Sequence, residues 1–216
     1  FTALALLRGT ARRSFQQIFN ALETSGANLG FDGGTHTVAL GGRSLADDLP
    51  LILKLLTEAL RQPTFPKKPV ERLRAQLLTG LAIRAQDTTE MASLAFDQLV
   101  YAGHPYSRPE DGYPQTIQAI TQADLKAFHA HHYGPRGLVL AIAGAVDPLR
   151  TTDQVAQVLG DWHNPDQPEP PLLPPLTPLE TTITRHVELP SKSEADLIMG
   201  AAGPARSASD YLAASL

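Results

Sequence analysis

The sequence of 216 residues carries a formal net charge of -4, is 43% hydrophobic and 19% charged, and contains no cysteine. These values describe a globular chain and exclude disorder, a coiled coil, a disulfide framework and a thiol nucleophile, while suiting cytoplasm and periplasm alike. With no basic excess to neutralise phosphates, nucleic acid is not expected as a partner. No apolar run approaches the roughly 20 residues of a membrane span.

In chain order, Phe1, Leu4, Leu6 and Leu7 make a short apolar helical face that Gly9 ends. Ser14 and Gln17 spell a capping box, and Phe15, Ile18, Phe19 and Leu22 follow at helical spacing until Gly26. From Ala27 to Ser44 glycine is frequent and residues 35–40 alternate, which predicts a hairpin or a pair of strands with His36, Val38 and Leu40 on one face. Asp47, Asp48 and Pro50 suit a helix start, and Leu49, Ile52, Leu53, Leu56 and Leu60 trace its stripe as far as Gln62. Val70, Leu73, Leu77 and Leu81 predict a further helix from about Pro69. Ala92, Ala95, Phe96 and Leu99 predict another, stopped by Gly103 and the turn-rich residues 104–109.

Thr121 with Asp124 forms a second capping box, opening a helix with Leu125, Phe128 and His132 inward. The apolar run Leu138 to Gly144 predicts a buried central strand, and Val155, Val158 and Leu159 predict a closing helix. Between Asn164 and Pro178 proline is too dense for helix or sheet interior and reads as a semi-rigid linker. Beyond it, Ile183, Val187 and Leu189, then Ala195 to Met199, read as strands, and Ser207 or Ser209 starts a helix toward Leu216. The order predicts an α+β unit in which helices cover one face of a twisted sheet.

His129, His131 and His132 invite a metal, but on a helix His131 points away from the other two and no carboxylate adjoins them. Favourable charge at a helix C-terminus explains them equally well. His104-Pro105-Tyr106 reads as a structural turn, and no serine or aspartate spacing makes a triad.

Gly9-Thr10, followed after two residues by Arg13-Ser14, begins a longer series. Gly26-Ala27, residues 62–65, His104-Pro105-Tyr106, residues 120–125 and His132-Tyr133 into Ala143-Gly144 continue it. In that order and spacing the series resembles the M16 (pitrilysin and insulysin-like, inverzincin) metallopeptidase family. The resemblance implies an M16-like half with a twisted, mainly antiparallel sheet covered on one face by helices. Its expected divisions are a peptidase-like domain at 1–163, a linker at 164–180 and the start of a second such domain at 181–216, both domains truncated at the outer end.

Active members carry His-x-x-Glu-His before the Gly-Thr pair, two imidazoles for zinc and a carboxylate to activate water. By that resemblance Ala3 takes the place of the glutamate, Leu4 that of the second histidine, and the first histidine precedes Phe1. The family's third ligand falls within residues 76–81, which hold no carboxylate. The implied protein does not cut peptides alone. It is a non-catalytic half, bacterial and heterodimeric in type, that encloses and binds an unstructured peptide while a catalytic M16 half, on another chain or elsewhere in this one, carries the zinc. The candidate peptide-binding edge is Gly30 and Phe31 with His36 nearby, against the alternative of a solvent-facing hairpin. The rival implication is a structural scaffold subunit of the same fold without peptide binding, and a third is a hydrolase with ligands relocated to residues 129–132.

Overall fold

Alanine and leucine fill the five positions after Phe1 and Thr2, so the opening segment can bury an apolar face. Helix α1, Thr2–Ala5, runs into a 3-10 turn, Leu6–Arg8, and Ala5 and Leu6 lose all solvent contact. The structure is a computed structural model that describes residues 1–214. By its internal contacts the chain divides into one unit of Phe1–Leu78 with Pro114–Pro170, and another of Thr79–Tyr113 with the residues from Pro171 onward.

In the first unit, helix α2 is Phe15–Thr24, and both legs of its capping box are made: Gln17 N–H donates to Ser14 Oγ at 3.3 Å and Ser14 N–H to Gln17 Oε1 at 2.8 Å. Gly26, at φ +60°, supplies the left-handed residue that ends it, with Ala27 N–H reaching Leu22 O and Gly26 N–H reaching Glu23 O. Strands β1, Asn28–Gly33, and β2, Val38–Arg43, then pair antiparallel in the expected hairpin, Gly30 opposite Gly41 and Phe31 opposite Leu40. Phe31 and Leu40 turn to the core while Gly30 and Gly41 stay exposed, as the period of two requires.

Helix α3, Leu49–Arg61, follows, and then α4, Lys67–Arg84, which belongs to this unit as far as Leu78. Helices α6, Pro114–Ala119, α7, Gln122–His132, and α8, Pro148–Leu159, belong with them through residues 114–159. Leu56, Ala59, Leu60, Phe65, Val70, Leu73 and Leu125 close over Ala3, Ala5, Leu6 and Phe31 in one apolar cluster. The architecture is α+β: a small antiparallel sheet with helices packed on its apolar face.

Phe65 stands at the centre of this cluster with no exposure and with φ +49°, a conformation that bulky side chains seldom adopt. It is held there from two sides. Gln122 Nε2 donates to the carbonyl of Phe65 at 2.6 Å, and the ring meets His129 edge-on with centroids 5.9 Å apart.

A charged cluster ties the opening segment to α3. The Glu58 carboxylate, 5% exposed within an otherwise apolar helix face, accepts from the Arg13 guanidinium and, at 3.3 Å, from the Thr10 hydroxyl. That hydroxyl in turn accepts from the backbone N–H of Arg13 at 3.0 Å and of Arg12 at 3.3 Å. Thr64 N–H donates to Gly9 O and Ala11 N–H to Gln62 O, both at 2.9 Å, so Gly9-Thr10 is laced to the α3–α4 loop. At Gly9, where φ is +154°, a Cβ would come within 2.8 Å of Pro66 Cγ. The Gly-Thr pair is therefore a joint with no room for a side chain at one residue and a required hydroxyl at the next.

In the second unit, Asp87 caps helix α5, Thr88–Val100, accepting from Glu90 N–H at 2.9 Å. The following turn is organised by His104, 8% exposed, whose Nδ1 accepts from Tyr106 N–H at 3.2 Å while its ring lies among Tyr101 and Tyr106. Arg84 pairs with Asp111 at 2.9 Å, and Arg185 donates to Gln98 at 2.8 Å. A last short helix, α9, is Tyr211–Ala214, and the final two residues of the helix expected toward Leu216 lie outside the described residues.

Four expectations are corrected. Residues 138–144 form no strand: Leu138, Leu140 and Ile142 are half-buried and Val139 is 84% exposed, an alternation without a ladder, because no neighbouring strand offers its backbone among the described residues. Residues 183–189 and 195–199 likewise form no strand, with Leu197 89% and Met199 90% exposed. On α7, Leu125 turns inward as expected, but Phe128 and His132 are exposed and His129 takes the inner place, since only His129 finds an acceptor there. His36 lies in the turn of residues 34–37 rather than on a strand face, because the ladder begins only at Val38.

Replacing Arg13 with methionine removes the cation and leaves the Glu58 carboxylate buried alone, which is expected to destabilise the fold by about 3 kcal/mol in urea unfolding. Adding Glu58→Met to that variant should recover most of the loss, because the stranded charge is then gone.

Candidate functional site

The positions matched to the zinc motif are filled with hydrocarbon. Ala3 is 5% exposed and Leu4 packs against the core, so both side chains serve as filling. Of the stretch matched to the third ligand, Gln76 is exposed and Leu77 lies on the core cluster. Among the described residues no group of three or more His, Cys, Asp or Glu is placed to hold a metal ion. Catalytic zinc takes three protein ligands and a water, and neither alanine nor leucine has an electron pair to give, so Ala3 and Leu4 do not fit the ion.

Gly30 and Phe31 stand on β1, whose pairing with β2 uses one of its two edges. Among the described residues the other edge has no strand partner. Phe31 anchors the strand from below, and Gly30 leaves the outer face bare, with nothing within 4 Å of where its Cβ would be. His36 is set apart at the exposed hairpin tip, where Gly34 N–H donates to Thr37 O at 2.9 Å.

The histidines of α7 have separate tasks. His129 Nε2 contacts the carbonyl of Leu60 at 2.8 Å and therefore donates, its ring stacked on Tyr133 with centroids 4.9 Å apart. Burial lowers its pKa, and the Leu60 hydrogen bond only partly opposes that. His132 lies on Phe128, ring centroids 4.3 Å apart, and its pKa is lowered by burial and by His131. Burial pushes the Tyr133 hydroxyl up to about 12, and that hydroxyl has no hydrogen-bond partner among the described residues.

Sequence reasoning missed an open groove of about 400 Å³ beside the Gly9-Thr10 joint, bordered by residues 9–15 and by Thr64, Pro66 and Pro69. Phe15, Pro66 and Pro69 form its apolar wall, and Arg12 and Arg13 bring charge. Half-buried Arg8 lies over the Phe15 ring, 5.1 Å from its centroid. Burial, and then the neighbouring Arg72 guanidinium, lower the Arg8 pKa. The available signal was the arginine run around Gly9-Thr10 in a chain of negative net charge.

The family profile described as the peptidase M16 inactive domain matches residues 119–216. An uncharacterized zinc protease of Mycobacterium tuberculosis is 31% identical over 143 residues, covering 66% of this chain and 32% of that protein. Another, of Streptomyces coelicolor, is 27% identical over 207 residues, covering 93% of this chain and 44% of that protein. The crystal structure of a peptidase M16 inactive domain from Pseudomonas fluorescens superposes with a TM-score of 0.69 at 30% identity, over 82% of this chain and 43% of that one. The chain belongs to the M16 peptidase family, on the side of its non-catalytic halves. It spans less than half the length of the relatives it matches.

Two outcomes follow from the α7 contacts. The folded pKa of His129 lies below its unfolded value, so its contribution to stability is fully present above the unfolded pKa near 6.5 and is lost as pH falls through the folded one. Melting temperature should therefore drop on acidification below about pH 6.5, less steeply in His129→Gln. Replacing Tyr133 with phenylalanine deletes a buried hydroxyl without a partner among the described residues and is expected to leave stability unchanged or raise it by about 1 kcal/mol in the same assay.

Proposed function

We propose that this chain is the substrate-enclosing, peptide-binding part of an M16 peptidase, working with a catalytic half that carries the zinc. The observation that carries the reading is Ala3 and Leu4 standing, without a donor atom, where the resemblance calls for glutamate and histidine. Relatives named as zinc proteases are more than twice as long as the stretch matched here, which leaves room for the metal in another half. The free edge of β1 supplies the grip. An extended peptide would add as a strand along Asn28–Gly33, held by main-chain hydrogen bonds that tolerate many sequences, while bare Gly30 keeps the outer face clear.

Alone, the chain is expected to hydrolyse no peptide, and hydrolysis should appear when a zinc-bearing M16 half is added. The edge is tested with a labelled, unstructured, uncharged peptide and its analogue N-methylated at alternate residues. Strand addition predicts that methylation weakens binding by about tenfold or more. Equal binding of the two, or none at all, would defeat the peptide-binding reading and favour the scaffold one.

A further inference from the structure

The groove beside Gly9-Thr10 holds more positive charge than the protein uses. Arg13 is committed to Glu58, and Arg74 to Glu71 and to the carbonyls ending α6. Arg8, Arg12 and Arg72 show no such counter-charge: among the described residues none makes an ion pair with a carboxylate, and the groove lining contains no aspartate or glutamate. Glu71, next to Arg72 in sequence, is already on Arg74, and Glu58 is sealed beneath Arg13 and Thr10. In a chain with 22 acidic residues against 18 basic ones, composition does not force Arg12 on the groove, Arg8 over its Phe15 wall and Arg72 beside Arg8 to go without an ion pair among the described residues. Arg8 is moreover half-buried beside Arg72, an arrangement that costs free energy until an anion is added.

The remaining walls say what kind of anion. Phe15, Pro66 and Pro69 are apolar and rigid, and Pro69 precedes Arg72 by three positions on α4, so wall and charge share one side of that helix. A free phosphate would use the arginines and leave this wall wet. A side chain with a carboxylate next to a hydrophobic residue would use both. We propose that the groove binds a peptide segment in which an aspartate or glutamate adjoins an apolar residue, the carboxylate held by Arg8, Arg12 and Arg72 and the apolar side chain laid on Phe15, Pro66 and Pro69. The site needs groove side chains and not the β1 backbone, so it stands or falls separately from the edge-strand reading.

The probe is a labelled octapeptide containing Asp-Leu and Glu-Phe steps, compared by fluorescence anisotropy with its isostere carrying Asn and Gln. The acidic peptide should bind about tenfold tighter or more, as charge-assisted bonds imply, with the gap narrowing from about 50 to about 300 mM salt. The exposed pair Arg12→Gln and Arg72→Gln should abolish the discrimination while leaving the melting temperature unchanged, and N-methylation of the peptide should not. Equal affinity for acid and amide peptides, binding of neither, or discrimination that survives the double variant would overturn the proposal. Competition by inorganic phosphate at the peptide's own concentration would also overturn it, showing a general anion site.

Discussion

One buried carboxylate governs how the first unit is put together. Glu58 sits among Leu55, Leu56, Ala59 and Leu60, where an ionised group is tolerable only with a cation and full hydrogen bonding. Arg13 and Thr10 provide both, and in doing so they fix the path of residues 9–14 over α3. The turn made by Gly9, the capping box that starts α2 and the α3–α4 loop inherit their positions from that contact. The groove is thus the outer side of the same joint whose inner side is Glu58.

This arrangement gives a physical account of how the segment before the Gly-Thr pair packs in this chain. In an active centre, the helix before the Gly-Thr pair must hold imidazoles at fixed separation, and the surrounding packing orients them. Here the same short helix carries Ala3, Ala5 and Leu6 into the core, so the packing survives and the donors do not. What remains chemically capable is backbone, on β1, and surplus guanidinium, around residues 8–12.

Much of this was legible in the sequence where the deciding interactions are local. Ser14 with Gln17 and Thr121 with Asp124 are three residues apart, and both boxes form as read. The Gly26 stop and the hairpin also follow from near neighbours. Choices made at a distance were not legible. Leu125 has neighbours at both 128 and 129, and the carbonyl of Leu60, 69 residues from His129, decides which of them turns inward. Nothing local marks Glu58 for burial, because its partner Arg13 is 45 residues away. The run from Leu138 to Gly144 announced burial correctly in part, but apolarity cannot say whether another strand lies alongside. Of the candidate edge, Gly30 and Phe31 came from the family resemblance, whereas His36, read from the alternation of residues 35–40, depended on where the ladder starts.

The clasp from Gln122 onto the loop carbonyls of Thr64 and Phe65 bears on how the polypeptide can be divided. The matched profile opens at residue 119, yet the helix just inside that boundary supplies Leu125 and His129 to the cluster built by residues 3–73. Conservation-based segmentation and mechanical segmentation therefore disagree. A fragment cloned at residue 119 would carry away the lid of another region's interior, and each piece would display the greasy surface meant for the other.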